Sequence, residues 1–256
     1  MVRAKKSLGQ NFLMHARIAE RIANVAHLTP EDTVLEIGPG TGMLTRALLA
    51  RAGKVVAVET DGELYAELRV TFADAIAAGR LALVHRDIRD FAPSADLHGY
   101  RLVANIPYYL TGEIFRMFLE AKNQPRSMTH LVQKEVAERI ACSGKGSLLS
   151  LSIRAYGTPK YEFTVPRGAF RPAPNVDSAV LSIRDISRKN FPSPEEERRF
   201  FSLLRAGFAH KRKLLANNLK EAGLISEDIP EKARAEDLSL VDWLAFARSS
   251  HRPREH

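Results

Sequence analysis

VLEIGPGTGMLTRALLARAG, residues 34–53, decides the fold. VLEIG reads as a strand buried on both faces, and GPGTG as the tight turn that follows it. MLTRALLARAG then carries its apolar residues at helical spacing and ends on glycine. A glycine turn between strand and helix lets backbone N–H groups approach a ligand closely. The spacing is G-x-G-x-G, which disfavours the nicotinamide-type G-x-G-x-x-G reading.

The same alternation continues outward. VVAVET (55–60), LALVHRD (81–87), RLVANIP (101–107) and THLVQKE (129–135) read as further strands, with helices over about 62–77 and 111–121 between them. Apolar strands separated by helices predict an α/β fold, a mostly parallel sheet with helices on both faces. YEFTVP (161–166) and SAVLSIRD (178–185), separated by the proline-rich FRPAPNVD, are expected to add an antiparallel edge. FPSP (191–194) then interrupts the chain, and the remainder reads as helical. Strand signals end near Ser187, which predicts a catalytic domain over 1–186 and a small all-helical domain over 187–256. At about 70 residues the second is small for an independent core.

Composition narrows the function classes. The 256 residues, 45% hydrophobic and 27% charged, are globular and can bury a sizeable core. A formal charge of +8 points to an acidic partner such as nucleic acid. The single cysteine, Cys142, excludes an intrachain disulfide framework and a cysteine-based structural zinc site, so a reducing cytoplasm is expected and no metal. MVRAKKSLGQNFL is basic but lacks the apolar core of a signal peptide, and no run is long enough to span a membrane.

Two acids and one corner sharpen the site. Glu59 closes the second strand, where a carboxylate can accept both hydroxyls of a ribose. Asp87 closes the third and can accept from an adenine amino group. Taken singly, each reads as a solvated loop carboxylate or a helix cap. At the end of the fourth strand stands NIPYYLTGEIF (105–115), with an amide, a carbonyl next to proline and two tyrosines. Asn105 and the Ile106 carbonyl can accept the two hydrogens of an exocyclic amine, Pro107 stiffens that backbone, and Tyr108 can stack on a base. Tyr109 is read as structural.

EIGPGTG, Glu59, Asp87 and N-I-P-Y together resemble class I methyltransferases that use S-adenosylmethionine. With KKSLGQNFL (5–13), FRPAPNVDSAV (170–180) and FAHKRKLLANNL (208–219), the resemblance narrows to the ribosomal-RNA small-subunit adenine N6,N6-dimethyltransferases and covers nearly the whole chain. The family's activity, carried over, would be methylation of two adjacent adenosines near the 3′ end of small-subunit rRNA during subunit biogenesis. By resemblance Asn11 and Leu13 close over the cofactor, Gly38 and Glu59 hold its methionine and ribose portions, and Asp87 its adenine. Asn105 lies between cofactor and target base, and Phe170 beside that base; Phe170 reads equally well as a core residue.

Lys211, Arg212 and Lys213, in a 205–220 stretch without an acid, are the expected RNA contacts. The first thirty residues add Arg3, Lys5, Lys6, Arg17 and Arg21 against Glu20. A monomer is expected. Two other readings remain: an adenine methyltransferase of large-subunit rRNA or DNA, and an RNA-binding assembly protein without catalysis.

Overall fold

The computed structural model describes residues 4–5, 8–93, 97–224, 229–230 and 232–249; Arg3 and Lys6 of the N-terminal basic run, and Ser7 of KKSLGQNFL, lie outside the described residues. The chain divides into two compact units. One runs through Glu138 and takes Pro159–Ile186; the other takes Arg139–Thr158 and everything from Ser187 on.

In the first unit the chain runs β1 (Phe12–Leu13), α1 (Ala16–Val25), β2 (Thr33–Ile37), α2 (Met43–Leu49), β3 (Lys54–Glu59), α3 (Gly62–Thr71), α4 (Ala73–Ala77) and β4 (Leu81–His85). It continues through β5 (Arg101–Ala104), α5 (Thr111–Glu120), β6 (Ser127–Gln133) and α6 (Lys134–Ala141), which runs on into the second unit. After α7 (Leu148–Tyr156), which belongs to the second unit, come β7 (Thr158–Val165), β8 (Phe170–Arg171) and β9 (Ser178–Arg184).

The sheet order is β4-β3-β2-β5-β6-β9-β7. The five strands from β2 to β6 are parallel, and β9 is antiparallel to β6, with Ser178 opposite Gln133. The strand order reverses at β2, so right-handed crossovers carry helices to both faces. Val34, Leu35, Val55, Ala57, Leu102 and Val103 are completely buried. That double-sided burial is why the parallel strands read as continuous apolar runs. Ile22 of α1 and Leu48 of α2 pack on the same core, each contributing about 1.5–3 kcal/mol of burial.

Three sequence expectations need correction. The single helix over 62–77 is two, broken at Phe72, whose ring turns inward against Gly42. The fifth strand is β6, over 127–133, because its pairing with β9 ends at Gln133 and Lys134 opens a helix. Residues 139–158 belong to the second unit and not to the first. The reason is Tyr156 at the end of α7, which is buried, stacks on Phe201 at 5.5 Å and meets Phe191 edge-on at 5.5 Å.

The second unit adds α8 (Pro194–Gly207), α9 (Leu215–Glu221) and α10 (Leu240–Ser249). Ser193 caps α8, accepting from Glu196 N–H at 3.2 Å, with Pro194 at the first helical position. Trp243 of α10 is fully buried over Gly207, where a Cβ would lie 2.3 Å from the indole ring. Among the described residues, no helix is long and apolar enough to cross a membrane.

Candidate active site

The carboxyl ends of β2, β3 and β5 open onto one cleft of about 1090 Å³, its mouth included. This is the point of strand-order reversal, where open α/β sheets bind ligands. Among its lining residues are Asn11, Leu13, Gly38, Glu59, Asp87, Asn105, Ile106, Tyr108 and Phe170, so every residue expected for cofactor and catalysis is brought together. Gly40 has φ +58°, and a Cβ there would lie 3.1 Å from the Phe12 ring, so the backbone turn and the N-terminal segment meet with no room for a side chain.

Glu59 is buried at 4% exposure and held from two sides. Gly40 N–H donates to Oε2 at 3.1 Å and Asp61 N–H to Oε1 at 2.9 Å. Burial raises its pKa, against the pull of those two donors. Each oxygen keeps lone-pair capacity for a further hydroxyl. Asp87 sits two residues past β4, where it accepts from Arg89 N–H at 2.9 Å and from the Arg89 guanidinium at 3.0 and 2.6 Å. The Arg89 hydrogen bonds hold the Asp87 carboxyl below its ordinary range. Sequence reasoning missed Arg89 as a partner.

Asn105 is half-buried directly after β5. Its Nδ2 donates to the Asn11 carbonyl at 3.4 Å, which orients the amide. Among the described residues nothing donates to Oδ1, so an acceptor stands free on the cleft wall. Ile106 is buried and the Pro107 carbonyl receives Leu110 N–H at 3.0 Å, fixing the turn. Tyr108 hydroxyl pairs with Ser178 Oγ at 2.6 Å, which anchors the ring. Burial raises its pKa, so it stays a neutral phenol. Phe170 is 5% exposed and belongs to both the cleft wall and the hydrophobic core. Tyr109, read as structural, is 66% exposed at the cleft rim, and Gly9 packs against its ring.

The N-terminal segment, whose Asn11 and Leu13 only the family resemblance pointed to, is seated by a short strand pairing. β1 pairs antiparallel with β8, Phe12 opposite Arg171 and Leu13 opposite Phe170. A two-residue strand has no periodicity to detect.

In the second unit, Asn218 is buried and its Nδ2 donates to the carbonyls of Gly207 (2.6 Å) and His210 (3.1 Å). This clamp fixes the start of the basic turn. Lys211, Arg212 and Lys213 are all exposed, but Lys213 Nζ bonds to the Glu221 carboxylate and His210 lies 3.3 Å from it. The expected acid-free run is thus partly neutralised by the residue just beyond it. Two cations of the N-terminal run are also engaged: Lys5 pairs with Asp61 at 2.8 Å, and Arg21 lies over the Phe163 ring at 3.8 Å. No group of three or more potential metal ligands occurs among the described residues.

Among solved structures, the 23S rRNA methyltransferase ErmE superposes with a TM-score of 0.76 at 27% identity, over 94% of this chain and 100% of that one. A dimethyladenosine transferase from Plasmodium falciparum gives 0.76 at 22% identity, over 92% and 95%, a likeness of fold alone. Sheet order, glycine turn and cleft are those of a class I methyltransferase. The model of the ribosomal RNA adenine dimethylase family matches residues 1–250, and the chain belongs to that family. Curated relatives named ribosomal RNA small subunit methyltransferase A include one from Dehalococcoides mccartyi, 43% identical over 94% of this chain and 87% of its own length. Another, from Fusobacterium nucleatum, is 38% identical over 95% and 96%.

Proposed function

We propose that the protein transfers methyl groups from S-adenosylmethionine to N6 of two adjacent adenosines near the 3′ end of small-subunit rRNA, giving N6,N6-dimethyladenosine during subunit biogenesis. The observation that carries this reading is the Asn105 carboxamide, oriented by Asn11 and with its oxygen free on the wall of a class I methyltransferase cleft. The small-subunit assignment rests on relatives at 36–43% identity that bear that name.

The residues present fit the cofactor. The glycine turn leaves backbone room, Glu59 offers two acceptor oxygens for a ribose, and Leu64, Met43 and Ile88 give the cleft apolar wall. Asn11, Leu13, Gly38, Glu59 and Asp87 would hold it, and when bound it supplies an electrophilic methyl group.

The chain's own part is to prepare the amine. The N6 lone pair of adenine is delocalised into the ring and is a weak nucleophile. Asn105 Oδ1 and the Ile106 carbonyl accept its two hydrogens and draw the nitrogen toward tetrahedral geometry. Tyr108 stacks on the extruded base, with Phe170 on the cleft wall behind, and holds it for in-line attack. The methylated nitrogen is cationic and loses its proton to solvent, so the corner needs no strong base. Lys211 and Arg212 contact RNA phosphates through the second unit, with Lys213 secondary to them.

The test is mass spectrometry of adenosines after incubation with S-adenosylmethionine and either under-methylated 30S particles or 50S subunits. Dimethyladenosine in the 30S rRNA is the expected product. Label confined to the large subunit, or none in either, overturns the assignment.

A further inference from the structure

Asp61 lies two residues past Glu59 and does not line the cleft, yet its carboxylate is completely buried. Oδ1 accepts from Lys5 Nζ at 2.8 Å and from Glu63 N–H at 3.0 Å, and Oδ2 accepts from Gln10 Nε2 at 3.1 Å. The bond from Glu63 caps α3 and would satisfy an ordinary helix-capping aspartate. The other two donors come from 56 and 51 positions away, far more than a cap requires.

Those two donors belong to the N-terminal segment, and each is fixed in turn. Lys5 N–H donates to Gln10 Oε1 at 2.8 Å. From Gln10 the chain passes to Asn11, whose carbonyl receives the Asn105 amide, and to Phe12, whose ring presses on Gly40. Meanwhile Asp61 N–H donates to Glu59 Oε1 at 2.9 Å. One buried aspartate therefore bonds both the cover of the cleft and its ribose-accepting acid.

We propose that Asp61 is a positioning residue for the cofactor: it clamps residues 8–13 onto the glycine turn and the Asn105 corner, and ties that closure to the Glu59 carboxylate. This rests on reading the cleft as the S-adenosylmethionine site. Lifting the segment strips a buried carboxylate of its lysine and amide partners, which is unfavourable until water replaces them. The clamp therefore slows escape from the cleft more than it slows entry, and its loss appears in the dissociation rate.

The test uses S-adenosylhomocysteine as probe, with calorimetry for Kd, stopped-flow for release and melting curves for folding. Lys5→Met removes the tether to Asp61, together with an exposed pairing to Glu63 at 3.2 Å, without touching the cleft. Asp61→Ser keeps a helix-capping oxygen and the backbone bond to Glu59 but cannot reach Lys5 or Gln10. Each is expected to raise Kd by roughly fivefold or more, mostly through faster release, with kcat at saturating cofactor within roughly twofold of wild type. Lys5→Arg should restore binding. The double variant should be no worse than the weaker single, because both break one network. Unchanged Kd and release in both singles, additive losses in the double, or a fall in kcat alone each overturn the proposal. A wild-type protein that binds no S-adenosylhomocysteine overturns the cofactor reading beneath it.

Discussion

Replacing Glu36 with glutamine is expected to flatten the pH dependence of stability above pH 5. Glu36 lies in the middle of β2, opposite Ala57 on one side and Val103 on the other, with no exposure to solvent. Neither carboxylate oxygen has a hydrogen-bond partner among the described residues. Burial, chiefly, raises its pKa from the ordinary 4.5 to about 8, and the charge of Glu59 adds to this. The folded protein thus keeps a proton that the unfolded chain has already released above its own pKa. Stability from this group is full below pH 4.5 and is lost as pH rises toward about 8. At about 1.4 kcal/mol per pH unit, the loss over that interval is about 5 kcal/mol, of which about 3 falls between pH 5.5 and 8. Urea denaturation at pH 5.5, 7 and 8 reads it directly. Relative to Glu36→Gln, neutral and of the same shape, wild type should lose that stability across the series, and the variant should be the more stable of the two at pH 8. Parallel losses in the two proteins would refute the assignment of the proton to this carboxyl.

Three further outcomes are expected. Asn105→Ala should lower methyl transfer by roughly a hundredfold or more while S-adenosylhomocysteine affinity changes only a few-fold, since the lost acceptor serves the amine; activity within tenfold of wild type in a radiolabel assay would reduce the corner to a turn. Glu59→Gln should weaken cofactor binding by roughly 10- to 100-fold by calorimetry, because one acceptor oxygen becomes a donor facing other donors; undiminished affinity would place the ribose elsewhere. Lys211→Gln and Arg212→Gln should each reduce the slope of log K against log salt for RNA binding by about 1, whereas Lys213→Gln, already held by Glu221, should reduce it less. Equal effects at all three positions would count against that ranking.

The parallel half of the sheet was legible because strands buried on both faces leave unbroken apolar runs, and the cleft was legible because its acids and amide stand where those runs end. The partners of those groups were not. Asp61 reads as a helix cap, and its second role comes from Lys5 and Gln10, a separation that no local pattern encodes. Glu36 sits inside a glycine motif, and only the strands on either side make it a buried acid. Likewise α7 carries an apolar pattern, but which core it joins is decided by where Tyr156 finds its aromatic neighbours. Asn218 stands in FAHKRKLLANNL with no local sign of its role, and clamps the turn before it only because the fold brings Gly207 and His210 within reach.

The pairing of β1 with β8 joins residues 12–13 to 170–171, nearly the two ends of the first unit. During synthesis, then, the strands that bear Glu59 and Asn105 leave the ribosome long before the roof over them has anything to pair with. A nascent chain stopped short of Phe170 carries the Asn105 corner and the glycine turn but lacks the strand that seats Leu13. If the cleft is read as proposed above, with residues 11–13 over the methyl donor, competence to hold that donor belongs to the finished first unit and does not grow gradually as its strands emerge.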